Sequence, residues 1–186
     1  MRRSAGSALA RAPLSRGYLL WYALNFNRHV HPIHEETNMN SATDIQNGEA
    51  RIRELTAEFQ QAIGVKDLDR IMAQYAPDVV AFDAVGELQF KGIEAYRAHW
   101  QRCFDFCQGE GFFETRDVTI SASSDLAFSH SLSHCGGTNE KGEMQTAWMR
   151  GTRCWRLQGG DWKVVHEHFS MPFDMASGQA CFGLEP

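Results

Sequence analysis

The chain has 186 residues, 43% of them apolar, and a formal net charge of −5. That length and apolar share bound it to one globular domain with enough material for a proper core. An acidic balance without a basic stripe argues against a nucleic-acid partner, and no apolar run approaches the roughly 18 residues of a bilayer crossing, so no membrane partner is expected.

The first stretch differs from the rest. Residues 1–38 hold five arginines (Arg2, Arg3, Arg11, Arg16, Arg28) and only two acids (Glu35, Glu36). That composition matches either a transit peptide or a translation start placed upstream of Met39. Residues 1–43 are expected to be a leader, disordered or mis-assigned, residues 44–175 the domain, and residues 176–186 a tail.

Thr43 and Gln46 have capping-box spacing, and Ile52, Leu55, Phe59 and Ala62 recur at helical intervals, which predicts a helix over 46–63 ended by Gly64. Asp67 is placed to cap a shorter helix burying Leu68, Ile71, Met72 and Tyr75, with Pro77 as its stop. Val79 to Asp83 reads as a strand, Gly86 as a turn, and Leu88 to Phe90 as a return. Gly92 opens a third helix, 93–106, with Ile93, Tyr96, Trp100, Cys103 and Phe104 on one side. After Gly111 the period changes to two. Strands are expected over 113–121, 126–135, 143–157 and 162–171, joined at Ser123-Ser124-Asp125, Gly136-Gly137 and Gly159-Gly160-Asp161. Helices first and an antiparallel meander last is the α+β pattern.

Side chains alternate across a strand, so parity sorts them into faces. Trp162, Val164, His166, His168 and Ser170 fall on one face of the last strand. Thr146, Trp148, Arg150, Thr152 and Cys154 share a face of the strand before it, and Phe128, His130, Leu132 and His134 a face of the one before that. Apolar bodies mixed with polar heads suit a pocket lining, so His166, His130, Trp148, Trp100, Phe104, Tyr75 and Phe59 are expected to touch a ligand. The competing reading for Trp100, Phe104 and Tyr96 is plain core, because an aromatic stripe at helical spacing needs no ligand. A bulge in any strand would reverse the parity beyond it.

Arg150, mid-strand among apolar neighbours, needs acceptors if it is buried, and Asp83 or a ligand carboxylate would supply them. Asp83 is either a turn residue bonding its own backbone or a general base among apolar walls. Arg150 and His168 are expected to face one cavity with Asp83 across from them, as a catalytic set. Four histidines (His130, His134, His166, His168) with Cys103 and Cys107 lack any standard ligand spacing, so no metal is expected. The five cysteines (Cys103, Cys107, Cys135, Cys154, Cys181) are odd in number and form no C-x-x-C pair, which argues against a disulfide framework and for a reducing, cytoplasmic setting.

The segment KDLDRIMAQYAPDVVAFDAVGELQFKGIEAYRAHW resembles the front half of SnoaL-like and ketosteroid-isomerase-like proteins of the nuclear transport factor 2-like superfamily, and RGTRCWRLQGGDWKVVHEHFSMPF is similar to the back half of the SnoaL-like branch. The resemblance covers about residues 50–173. It implies a cone-shaped barrel: a strongly curved, mostly antiparallel sheet wrapped on three N-terminal helices, with the ligand inside the cone and a homodimer formed through the sheet. Against ketosteroid isomerases, Asp83-Ala84-Val85-Gly86 occupies the place of the catalytic base. Phe59 stands where the oxyanion-hole tyrosine is, and Thr152 or Arg153 near the oxyanion-hole acid. The resemblance thus implies proton transfer on a small hydrophobic or carbonyl-containing ligand without a cofactor, in isomerase, cyclase or dehydratase chemistry, or a non-catalytic ligand-binding or association module on the same scaffold.

Overall fold

The apolar stripe Ile52, Leu55, Phe59 and Ala62 is buried along helix α1, Glu36–Gly64. A computed structural model describes residues 36–139 and 141–186, so residues 1–35 of the expected leader, 1–43, lie outside the described residues. The helix begins at Glu36, ahead of the expected start at Gln46, so the Thr43–Gln46 spacing lies inside it. Its end is set by Lys66 rather than by Gly64. Lys66 takes a left-handed φ of 55°, its N–H bonds Ile63 O at 3.0 Å and the Asp67 N–H bonds Ala62 O at 2.8 Å, the paired closure of a Schellman turn. Asp67 then caps α2, Leu68–Met72, by accepting from the Arg70 N–H at 3.0 Å.

Tyr75, expected at the end of that helix, opens strand β1, Tyr75–Phe82. Pro77 lies within the strand, in the stretch where its pairing register shifts between Tyr75 and Val80, which is where a residue without an N–H is tolerated. The short β2, Phe90–Lys91, returns against β1. Gly92, at φ 82°, leads into α3, Ile93–Phe106. Strands β3 (Gln108–Ala122), β4 (Leu126–Thr138), β5 (Met144–Gln158) and β6 (Asp161–Ser170) form the meander.

The six strands make one mixed sheet in the order β2-β1-β6-β5-β4-β3, with β1 and β6 parallel and every other pair antiparallel. The result is the expected α+β cone, strongly curved rather than closed. Arg51 clamps α1 to the start of β6 through two contacts of 3.1 Å to the Asp161 carboxylate. The core runs from Ile52, Leu55 and Phe59 through Ile71, Tyr75, Val79 and Tyr96 to Phe113, Trp155, Val164 and Phe169. At Gly151 a β-carbon would lie 2.7 Å from the Phe169 ring, so the strand needs glycine to let that ring pack.

One irregularity decides which side chains face the interior. Cys154 pairs with His166 but Trp155 pairs with Val164, so Val165 is an extra residue in β6. This bulge reverses the alternation. Trp162 and Val164 point inward before it, Glu167 and Phe169 after it, and His168 is exposed. Neighbouring strands put their odd-numbered residues inside: Ser129 and Ser133 on β4, Gly151, Arg153 and Trp155 on β5. Trp155 and Phe169 are core residues with 0% and 5% exposure.

Candidate functional site

Between α3, the end of β1 and the wide end of the sheet lies a cavity of about 530 Å³. Its walls are mostly apolar, with Ile63 from α1, Trp100, Phe104 and Phe106 from α3, Phe113 from β3, Met149 from β5 and Phe169 from β6. Two ionisable side chains, Asp83 and His99, meet in this lining, and Lys66, Cys103, Cys107 and Cys135 join them.

Asp83 is the first residue after β1. Its Oδ1 accepts the Val85 N–H at 3.1 Å, which shapes the turn, while Oδ2 reaches inward to His99 Nε2 at 3.3 Å. The side chain therefore does both things its sequence position allows. The two side chains are 12% and 4% exposed, so the pair is largely out of water. His99 is fixed from three sides. Phe90 stacks on its ring at 4.2 Å, Tyr96 lies nearly parallel at 5.8 Å, and Cys103 Sγ sits 3.6 Å from Nε2. Burial works against the imidazolium, but the hydrogen bond and charge of Asp83, with Cys103, outweigh it and raise His99 from 6.5 to about 9. Burial and the Asp83 charge push the nearby Cys135 thiol up to about 11, so Cys135 is a neutral lining group.

Behind Asp83 a second polar cluster is sealed in the core. Glu167, with no exposed surface, accepts the Tyr75 hydroxyl at 2.9 Å and the Tyr96 hydroxyl at 2.5 Å on one oxygen, and Arg153 Nε on the other. The Arg153 guanidinium also lies 3.8 Å from the Phe59 ring centre. Burial and the Glu167 charge hold both tyrosine hydroxyls well above their ordinary range, so both are neutral donors. Tyr96 Oη is also 3.1 Å from Asp83 Oδ2, which joins the two clusters.

Of the residues expected to form the site, the structure brings Asp83, Trp100 and Phe104 to the cavity. Phe59 and Tyr75 lie behind it in the core. Arg150, His168, His166, His130 and Trp148 do not line it. They stand on the outer face of the sheet because the Val165 bulge and the odd-inward alternation of β4 and β5 place even-numbered residues outside. There Arg150 pairs with Ser170, and His168 pairs with Thr152. His166 Nδ1 bonds Val80 O at 2.7 Å, His134 stacks on Trp148 at 4.6 Å, and Phe128 stacks on His130 at 6.4 Å. His99 and Glu167 were missed. His99 had a signal, since it lies three residues after Tyr96 and four before Cys103, inside the stripe already assigned to the buried side of α3. Among the described residues no group of three or more His, Cys, Asp or Glu is arranged to hold a metal ion.

This cone, with an aspartate from the turn after β1 opening onto its cavity, can be set beside known proteins. The SnoaL-like domain family matches residues 52–174. The chain belongs to the SnoaL-like family. Among solved structures, this SnoaL-like chain is similar to an NTF2-like protein of unknown function from Pseudomonas putida KT2440, at 45% identity and a TM-score of 0.70 over 76% of this chain and 98% of that one. An NTF2-like protein with a cystatin-like fold from Novosphingobium aromaticivorans shares the fold at 16% identity and a TM-score of 0.65, over 78% of this chain and 96% of that one. A ketosteroid isomerase-like protein from Erwinia carotovora atroseptica SCRI1043 does so at 21% identity and 0.57, over 66% and 94%. Against the curated proteins the chain finds no match.

Proposed function

We propose that this SnoaL-like protein is an acid–base enzyme acting on a small, largely apolar carbonyl compound, with Asp83 as the base and His99 as its cationic partner. One observation carries the reading: the only carboxylate–imidazole contact among the described residues, Asp83 Oδ2 to His99 Nε2 at 3.3 Å, opens onto a cavity of about 530 Å³ with apolar walls. A cavity of that size suits a ligand of one or two rings. With His99 raised to about 9, the pair at pH 7 consists of an imidazolium and the group beside it that accepts protons. An anionic base removes a proton next to a carbonyl, and a nearby fixed cation in a dry site stabilises the enolate that results. Isomerisation, cyclisation and loss of water all begin with that step.

A second reading, ligand binding without turnover, is favoured by the burial of Phe59 and Arg153. These positions stand near the oxyanion donors of ketosteroid isomerases, and here they pack on each other in the core. On either reading we take the chain to be a homodimer joined through the outer face of the sheet, where Phe82 and Phe128 remain 38% and 47% exposed.

A binding panel tests the site. One- and two-ring cyclic ketones are titrated into the protein while the His99 ring resonances are followed by NMR. Binding that moves His99 and is lost when Met149→Trp fills the cavity supports the reading. Ligands that bind only with shifts at His130 and His168, on the outer face, would move the site to the other side of the sheet.

A further inference from the structure

Tyr96 has one hydroxyl proton and two carboxylate neighbours. Its Oη is 2.5 Å from Glu167 Oε1 and 3.1 Å from Asp83 Oδ2. A phenol donates once, so the two contacts are of different kinds. The shorter one claims the proton. Glu167 has no exposure to water, while Asp83 borders the cavity and has the Val85 N–H and His99 Nε2 as donors of its own. Glu167 also draws the Tyr75 hydroxyl and Arg153 Nε, so it is organised throughout as an acceptor. Toward Asp83, Tyr96 is left with a lone pair.

We propose that Tyr96 is a positioning residue for Asp83, presenting an oxygen lone pair that receives the proton Asp83 takes from its substrate. The inference rests on the reading of Asp83 as the base. When Asp83 is ionised, the 3.1 Å contact sets two acceptors against each other. Once Asp83 has captured a proton, the same contact becomes an O–H···O hydrogen bond from Asp83 Oδ2 to Tyr96 Oη, and Tyr96 continues to donate to Glu167. The substrate C–H bond breaks, its electron pair forms the C=C bond of the enolate as the carbonyl π pair moves onto oxygen, and its proton rests between Asp83 and Tyr96 until it returns to another carbon. The contact thus gives the proton-bearing base a hydrogen-bond acceptor that its ionised form cannot use.

The other groups facing this contact are accounted for. His99 and Cys103 approach from α3, and Cys135 from β4 is a neutral thiol. Tyr75 from β1, Glu167 from β6 and Arg153 from β5 close the core side. Lys66, also in the cavity lining, is engaged with the Cys107 carbonyl at 2.6 Å.

The test has two arms. In the full-length protein, with no substrate present, the Tyr96 hydroxyl proton is observed by NMR. It is expected far downfield, and it stays there as the pH is lowered and Asp83 takes up its proton. A hydroxyl proton that moves strongly when Asp83 is protonated sits on the Asp83 side and overturns the proposal. In the second arm, the pH profile of α-proton exchange is compared between wild type and Tyr96→Phe. Losing one hydrogen bond to the protonated base moves the acidic limb to a roughly tenfold higher proton concentration, that is, to lower pH. A limb displaced to higher pH shows that Tyr96 had been donating to Asp83, which also overturns it. If no ketone undergoes exchange, the reading of the site as an enzyme fails, while the first arm still decides where the Tyr96 proton lies.

Discussion

Asp83 and His99 meet at 3.3 Å although one sits in a turn after the first strand and the other in the second turn of α3. The contact exists because Gly92 starts α3 directly after β2, so the helix runs back past the end of β1. The Phe90 ring, at 4.2 Å, then holds the imidazole toward the carboxylate. An ionisable pair is placed in a dry site by apolar packing around it.

The first prediction concerns that pair. His99 titrates at about 9 in the folded protein against an ordinary 6.5. A folded value above the unfolded one means that protonated His99 contributes stability in full below about pH 6.5, and that the contribution is lost as pH rises through about 9. Urea midpoints between pH 6 and 10 should fall along this course in wild type. In Asp83→Asn, burial acts without its counterion, so the His99 NMR titration should drop to 6.5 or lower and the alkaline loss at His99 should vanish. A His99 titration unchanged by that substitution would show that the two groups do not interact.

Glu167 and Arg153 supply a second, structural prediction. Both are buried, and each is the other's counterion. Arg153→Met should cost about 3–5 kcal/mol in chemical denaturation, because it strands the Glu167 charge in the core. The double variant Arg153→Met with Glu167→Gln should recover part of the loss, since no unpaired charge remains. Additive losses in the two single variants would mean that the pair is not coupled.

Gly151 predicts a packing effect. Its missing β-carbon leaves room for the Phe169 ring at 2.7 Å. Gly151→Ala should destabilise by about 1–3 kcal/mol, as overpacking does, and Gly151→Ala with Phe169→Leu should be milder. Gly159→Ala, at the turn between β5 and β6, meets no atom within 4 Å and tests backbone conformation (φ 61°) without crowding.

The outer face of the sheet predicts assembly. Phe82 lies 4.9 Å from the His166 ring and 5.8 Å from His168, and Phe128 is beside His130, so aromatic and imidazole groups gather where no helix covers them. Light scattering at micromolar concentration should give a dimer mass, and Phe82→Asp with Phe128→Asp should reduce it to the monomer. A monomer in wild type would leave that face without the role proposed here.

Much of the fold was legible in the sequence, and the part of the site that was not has a local cause. The stripes of α1 and α3, the glycine turns and the change of period after Gly111 specified three helices and a sheet, because each is a short-range pattern. Asp83 was legible from its place after an apolar strand. His99 lay hidden among Tyr96, Trp100 and Phe104, because an aromatic stripe at helical spacing packs a core without any ligand. The misplacement of His166 and His168 came from one residue, Val165, and that of Arg150 from the odd-inward alternation of β5. A bulge is a two-strand property, visible only when β6 is laid against β5 and Cys154 and Trp155 are found to pair with His166 and Val164. Glu167 was missed for the same reason, and its burial depends on partners 92 residues away at Tyr75 and 71 away at Tyr96.

Asp83, beside His99 in the apolar cavity, is proposed to take a proton from a small carbonyl compound. The most direct measurement is the rate at which the wild-type protein exchanges the α-protons of one- and two-ring cyclic ketones for deuterium in D2O, followed by NMR and compared with Asp83→Asn. Exchange above the buffer rate is expected for at least one ketone of the panel, with a loss of about 10²–10⁴-fold in Asp83→Asn. Equal exchange by wild type and Asp83→Asn, or none above buffer from wild type with a ketone shown to occupy the cavity, would contradict it.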